Sequence, residues 1–121
     1  MLRTIAKENP ELVHALIELR RAAKRHEAPI WGAVARRLAR PRHQVPPVNV
    51  GHLERLAAAN EVIVVPGKLL AHGRLSKPLT VAAFHYSEGA RTKIHAAGGT
   101  AVGLHDILKS HPNGSGVRII A

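Results

Sequence analysis

The sequence predicts a mixed α/β domain in which basic helices come first and a core of short strands and helices follows. Between Pro10 and Leu38, apolar residues recur at the three- and four-residue spacing of a helix that buries one face. Val62–Val65 is instead an unbroken β-branched run, the pattern of a strand covered on both faces. The 121 residues are enough for one domain, whereas two halves would each be too small to bury a useful core.

The first helix is expected to begin after Asn9, whose side chain suits the capping position, with Pro10 as the first helical residue. An apolar stripe should then face the core as far as about Ala28, with Val13 and Ile17 beside it. This stripe consists of Leu12, Leu16, Leu19 and Ala23.

A second, shorter helix should begin at Pro29 and end before Pro41. The buried edge of this helix is expected to consist of Ile30, Val34 and Leu38, and Trp31 adds the only large ring of the helix. The Pro46-Pro47 pair cannot be helical, so the segment 41–47 is expected to be an extended basic loop.

The remaining elements are short and are separated by residues that favour turns. Pro66-Gly67 is expected to end a strand, Ser87 to cap a helix and Gly98-Gly99 to end it. The loop 111–116 is expected to be a flexible turn, and close backbone approach to RNA is the functional alternative. In chain order we expect a strand at 48–50, a helix ending near Asn60, strands at 62–65 and 79–86, a helix at 88–97, a helical turn at 106–109 and a strand at 117–120.

The charge of the chain points to a polyanionic partner. Lysine and arginine total 18 against 8 acidic residues, a formal net charge of +10, and such an excess destabilises a compact protein through self-repulsion. Nucleic acid is the preferred partner, because no apolar run approaches the roughly 18 to 20 residues of a membrane span and no secretory signal is recognisable. We therefore expect a cytosolic protein. The absence of cysteine excludes cysteine-ligated zinc.

The strongest candidate for phosphate contact is a basic block between Arg20 and His43, which contains only one acid, Glu27. Counterions released from phosphates would give such a block affinity without base recognition. Its candidate contacts are Arg20, Arg21, Lys24, Arg25, Arg36, Arg37, Arg40, Arg42 and His43. Lys68, Arg74 and Lys77 could form a second RNA-facing loop, although a purely structural role is equally compatible with the sequence.

No catalytic or cofactor site is expected. Val65–Lys68 superficially resembles a phosphate loop but lacks the required glycine and hydroxyl residue, and the histidines show no zinc-binding spacing. The chain has three aromatic residues in total, too few for stacking bases along a single strand. Two alternatives stay open: a small basic DNA-binding chromatin protein, and an RNA-processing enzyme dependent on His85 and His95.

Several segments together resemble one known family. RRLARPR at 36–42, continuing to VNVGHL at 48–53, is similar to the signature of the L-eighteen-e family of large-subunit ribosomal proteins. The segment 64–84, the helix before Gly98-Gly99 and the closing PNGSGVRI at 112–119 agree in the same order, so the resemblance covers nearly the whole chain. The compact length looks like the archaeal form.

The resemblance implies a structural constituent of the large ribosomal subunit, bound to its ribosomal RNA and to neighbouring ribosomal proteins in the cytoplasm, with no cofactor and no small-molecule substrate. It also implies an irregular strand-strand-helix core similar to that of the L-fifteen family. We thus expect one domain over 1–121, with a basic helical RNA-binding part at 1–43 and an α/β core at 44–121. Val45 stands where the family usually has Arg or His, and His52 where it usually has Arg or Lys.

Overall fold

Five parallel strands form the centre of the fold in the computed structural model, which describes residues 9–41 and 44–121. The helices of this part of the chain are α1 (Pro10–Arg25), α2 (Pro29–Leu38), α3 (Val50–Leu56), α4 (Glu88–Ala96) and α5 (Leu104–Ser110). The strands are β1 (Val48–Asn49), β2 (Val62–Leu70), β3 (Thr80–Tyr86), β4 (Thr100–Val102) and β5 (Val117–Ile119). The mixed α/β class is confirmed.

The strand β2 is the centre of the sheet. β3 pairs with it along one edge and in turn pairs with β4, whereas β5 and β1 share the other edge of β2. β5 lies opposite the beginning of β2, with Val62 facing Val117, and β1 lies opposite its end, with Leu69 facing Val48. Every described pairing is parallel, so all the strands end at the same edge of the sheet.

Helices cover the sheet on both faces, as the β-branched run predicts. Ile63 is fully buried on one face with Leu53 of α3 and Ile94 of α4. Val64 is fully buried on the other face, in a second core cluster that includes Trp31 of α2 and residues of α1 and α5. Successive side chains of a strand point to opposite faces, so one short run of β2 supplies both cores.

The first helix has the predicted cap but a narrower buried face than expected. Asn9 Oδ1 accepts a hydrogen bond from Leu12 N at 3.2 Å, and Leu16 and Leu19 are completely buried. The expectation that Ile17 lies beside the buried stripe is wrong, because this side chain is 43% exposed. The helix contacts its neighbours through one side only, and Ile17 lies on the other.

The expectation that Pro66-Gly67 ends the central strand is also wrong. β2 continues to Leu70 through an irregularity in its register between Val65 and Lys68. Pro66 has no N–H to donate to the ladder, so the strand bulges there; beyond the bulge β1 and the end of β3 provide new pairing partners. The three-residue strand β4 has no counterpart among the predicted elements, because so short a segment carries no alternating pattern.

The sequence predicts a flexible turn at 111–116, but the structure packs this loop against α2. Trp31 Nε1 donates a hydrogen bond to the Pro112 carbonyl at 2.8 Å. Gly114 adopts a φ of +70°, and a Cβ at this position would lie 2.2 Å from Ile30 Cγ2. Glycine is therefore required there for its backbone conformation and for its small size.

The hydroxyl of Tyr86 joins β3 to β4 where their pairing ends. It accepts from Ala83 N at 3.0 Å, and the Val81 and Val102 carbonyls at 2.6 Å and 2.5 Å share its one hydrogen. Burial raises the pKa of Tyr86 to about 12, so the hydroxyl keeps its proton at physiological pH.

We expect Tyr86→Phe to lower the free energy of unfolding by about 1–3 kcal/mol, because it leaves partly buried backbone groups without their partner. Chemical denaturation of both proteins measures the difference. Thr92→Val is a matched control: it removes an exposed hydroxyl that donates only to the Glu88 carbonyl, and should change stability by less than about 0.5 kcal/mol. Equal effects of the two substitutions would contradict the bridging role of Tyr86.

Candidate nucleic-acid interface

The first helix presents its cations to solvent because its apolar residues occupy the opposite side. Leu16 and Leu19 are buried against the rest of the fold. The four predicted contacts on this helix are all exposed and follow the exposed Ile17 in the sequence: Arg20, Arg21, Lys24 and Arg25. The C-terminal half of α1 is therefore cationic on its exposed side.

The second helix adds three more exposed cations next to the first helix, with which it packs. Arg36 and Arg37 lie in the last turn of α2, and Arg40 follows the helix end. Cations at a helix C-terminus interact favourably with the helix dipole, so their position also stabilises α2 locally. Val34 and Leu38 are buried on the inner side and keep the arginines outside.

These seven cations have no acidic partners in the part of the chain that the structure describes: no carboxylate there lies within 4.0 Å of them. The one arginine that forms an ion pair among those residues is Arg118, with Glu61 at 3.4 Å. The other three pairs each join a histidine to a glutamate. No close ion pair among the described residues offsets the mutual repulsion of these cations, and an external anion would reduce it.

A cleft of about 240 Å³ connects these helices to the central strand. Arg37 and Arg40 line one part of it, and Pro66 and Gly67 of β2 line another. Lys68 follows Gly67 and is exposed. Its neighbour Leu69 is buried on the sheet face that α3 and α4 cover. Successive side chains of a strand alternate between faces, so Lys68 points to the other face. Lys68 therefore lies on the same side of the sheet as the basic helices.

The loop 71–79 joins β2 to β3 and takes the place of the helix that usually connects parallel strands. Buried and half-buried side chains fix this loop. Lys93 Nζ donates to the carbonyls of Ala71 at 2.7 Å and Gly73 at 2.6 Å. Arg74 follows immediately and is exposed. The loop thus holds Arg74 outward on an anchored backbone.

Lys77 of the same loop makes contacts inside the protein. Its Nζ donates to the carbonyls of Glu54 at 2.8 Å and Ala57 at 2.7 Å, at the C-terminal end of α3. Two of its three N–H groups are therefore used in holding α3 to the loop. Of the three cations predicted for this second surface, Lys68 and Arg74 are exposed and Lys77 is half-buried. An RNA contact by Lys77 stays a prediction, beside this structural role.

Glu54 holds the same loop through Ser76. The carboxylate accepts hydrogen bonds from Ser76 N at 3.1 Å and Ser76 Oγ at 2.6 Å. The bond from the Ser76 hydroxyl, followed by the bond from its N–H, holds the pKa of Glu54 below the ordinary value of 4.5. The loop is therefore fixed best when Glu54 is ionised.

Two predicted contacts, Arg42 and His43, lie outside the described residues. The structure also brings together side chains that the sequence analysis did not connect. His52 and Arg55 of α3 line a second cleft with His72 of the loop. The i, i+3 spacing of His52 and Arg55 on a short helix is the signal that could have related the first two. Nothing local in the sequence places His72 beside them.

The described part of the chain contains neither a membrane-spanning helix nor a metal-binding cluster. None of the helices there is both long enough and apolar enough to span a membrane. Within the same residues, no three histidine or acidic side chains come together in a way that could hold a metal ion.

Comparison with known proteins identifies similar sequences over nearly the full length of the chain. The model of the family described as ribosomal protein 60S L18 and 50S L18e matches residues 2–121. The large ribosomal subunit protein eL18 of Archaeoglobus fulgidus is 46% identical, over 94% of this chain and 97% of that protein. The proteins of the same name from Methanopyrus kandleri and Haloarcula marismortui are 44% and 43% identical, over 93% and 96% of this chain and 92% and 99% of their own lengths.

The pKa shift of Glu54 predicts a pH-dependent contribution to stability. A carboxylate whose pKa is lowered by folding stabilises the protein above its unfolded pKa and loses this contribution as the pH falls through the folded value. Glu54→Gln should therefore reduce stability at pH 7, and the difference from the parent protein should shrink as the pH falls below 4.5. Urea denaturation of both proteins between pH 7 and about pH 3 measures this.

Glu27→Gln serves as the control, because the Glu27 carboxylate makes no ion pair within 4.0 Å in the described part of the chain. A Glu54→Gln effect of equal size at both ends of the pH range would show that ionisation of Glu54 does not hold the loop.

Proposed function

The chain belongs to the family of ribosomal protein 60S L18 and 50S L18e, and we propose that its exposed arginines and lysines bind the phosphates of large-subunit ribosomal RNA. The chain is a structural constituent of the large ribosomal subunit, where it binds ribosomal RNA beside other ribosomal proteins, and it is not an enzyme. As part of the ribosome it works in the cytoplasm.

The observation that carries the proposal is a set of seven exposed cations, six on α1 and α2 and Arg40 just after α2, with no described carboxylate within 4.0 Å. Each phosphate that such a cation neutralises releases a counterion, which favours binding without any recognition of base sequence. Arginine adds planar, two-pronged hydrogen bonding to phosphate oxygens. The contacts proposed on these helices are Arg20, Arg21, Lys24, Arg25, Arg36, Arg37 and Arg40.

The proposed surface continues beyond the helices. Lys68 extends it along the face of the sheet that carries α1 and α2, and Arg74 extends it to the anchored loop. Arg42 and His43 follow Arg40 in the sequence and are included for that reason. Together these residues would contact phosphates of folded RNA along several elements of one domain.

The aromatic residues support recognition by shape and backbone over recognition by base stacking. Trp31 is completely buried, and Phe84 and Tyr86 are packed against the two core clusters. Proteins that bind single strands along their length stack bases on several exposed rings, and the described surface offers no such row. Because these aromatic side chains pack in the core, phosphate contact with structured RNA is the mode of binding that they leave available.

Binding to large-subunit RNA should therefore weaken as salt increases. Replacing two contacts with Arg36→Gln and Arg40→Gln should lower the magnitude of the slope of log K against log salt by about 1.4 to 1.8, from 0.7 to 0.9 for each lost phosphate contact. Affinity should fall to a similar degree for all RNA targets, because phosphates carry no sequence information. Filter binding across a salt series measures both quantities.

The matched control is Arg91→Gln with Lys109→Gln, which removes the same charge from positions outside α1, α2 and the loop 71–79. If the slope of log K against log salt is the same for both double variants, Arg36 and Arg40 do not contact phosphates. Affinity that does not depend on salt would overturn the proposal. Competition with duplex DNA tests the alternative of a chromatin protein, which predicts that DNA displaces the RNA at equal nucleotide concentration.

A further inference from the structure

None of the proposed phosphate contacts lines the second cleft, which has a volume of about 470 Å³. Pro46 and Pro47 line it, together with His52 and Arg55 of α3 and with His72 of the loop 71–79. Its volume falls within the range of about 300 to 1,000 Å³ that is typical of sites for small organic ligands. No carboxylate side chain is among the described residues that line it.

Backbone contacts hold the two sides of this cleft in a fixed relation. Asn49 Oδ1 accepts a hydrogen bond from His72 N at 3.1 Å, and Gly51 N donates to the His72 carbonyl at 3.0 Å. Gly73 adopts a φ of +96°, and a Cβ there would lie 2.7 Å from Gly51 Cα. Two glycines therefore allow the loop and the start of α3 to touch, and the cleft is preformed.

The hydrogen bond between Arg55 and His52 determines which groups the cleft offers to a ligand. Arg55 Nη2 lies 3.0 Å from His52 Nδ1, and arginine can only donate. His52 Nδ1 therefore accepts in this bond, which leaves Nε2 to carry the ring proton as a donor. Asn49 also keeps its amide N–H groups as donors, because its oxygen accepts from His72. These side chains thus offer mainly donors beside the apolar faces of two prolines; Ala121, the last residue of the sequence, also lines the cleft.

We propose that this cleft receives one unstacked nucleotide of the ribosomal RNA, with a phosphate oxygen near Arg55 and His52 and the base against Pro46, Pro47 and the His72 ring. The inference rests on the proposed binding of ribosomal RNA. Imidazole rings and guanidinium planes are common platforms for bases that leave a helix, and donors suit phosphate and base acceptors. A paired duplex is too wide to enter a concave site of this size, whereas a single nucleotide enters without unfolding the protein.

The position of the cleft favours RNA over a segment of a neighbouring protein. Pro46 and Val48 line both this cleft and the cleft that contains Arg37 and Arg40. An RNA strand whose phosphates lie on those arginines would therefore reach the second cleft along a continuous surface. A nucleotide inserted there would add recognition of an unpaired position to binding that is otherwise dominated by phosphates.

The test uses the full chain bound to a transcribed fragment of large-subunit RNA. His72→Ala removes a stacking surface without removing a fixed charge, so affinity should fall roughly fivefold or more at every salt concentration while the salt slope stays unchanged. Arg55→Gln should lower both affinity and slope. In both variants, probing of 2′-hydroxyl reactivity should show one local group of nucleotides that loses its response to the protein.

His95→Ala is the control, since this histidine is also exposed but lies on α4 outside the cleft; it should leave affinity and reactivity unchanged. Thermal unfolding confirms that each variant is folded.

Parent-like affinity and reactivity in both cleft variants would overturn the inference and leave the phosphate proposal intact. If the parent chain does not bind the RNA in a salt-dependent manner, the proposed function itself fails. Variants that bind RNA normally but lose a neighbouring protein from reconstituted subunits would assign the cleft to a protein segment, which also overturns the inference.

Discussion

The burial of β2 on both faces is the constraint on which the rest of the structure depends. Ile63 and Val64 point to opposite sides of the sheet, and both are completely excluded from solvent. One strand can be covered in this way only if helices pack on each face. α1, α2 and α5 cover one face, and α3 and α4 cover the other. The charged residues of α1 and α2 cannot enter these two aliphatic cores, so they collect on the outer sides of the helices.

The protein uses its lysines and arginines in two physically different ways. Lys77 and Lys93 donate to backbone carbonyls and so fix the loop 71–79 against α3 and α4. The cations of α1 and α2 lie on well-packed helices instead, and within the described chain they have no acidic partners. The charges of Lys77 and Lys93 therefore serve folding, whereas the charges on α1 and α2 remain available to an anion. The anchored loop connects the two uses, because it carries the exposed Arg74 and forms one side of the cleft at His72.

The two clefts suggest how a protein with almost no exposed aromatic surface contacts folded RNA. The cleft of Arg37 and Arg40 offers charge, whereas the cleft of His52 and Arg55 offers donors and the flat faces of proline and histidine. Phosphate contacts alone would position the RNA without distinguishing one segment from another. An inserted nucleotide would define the register of the RNA on this surface, which is a property that a structural component of a large assembly needs.

Local patterns in the sequence determined the class of the fold, the caps at Asn9 and Ser87 and the doubly buried run of β2, because each depends on spacing or on the chemistry of one or two neighbouring residues. They also identified the basic helices and, by resemblance, the ribosomal family. Only the tertiary structure decided that β2 passes through Pro66, that Ile17 faces outward and that His72 meets α3. Those outcomes depend on contacts between residues far apart in the chain, whose geometry no local pattern encodes.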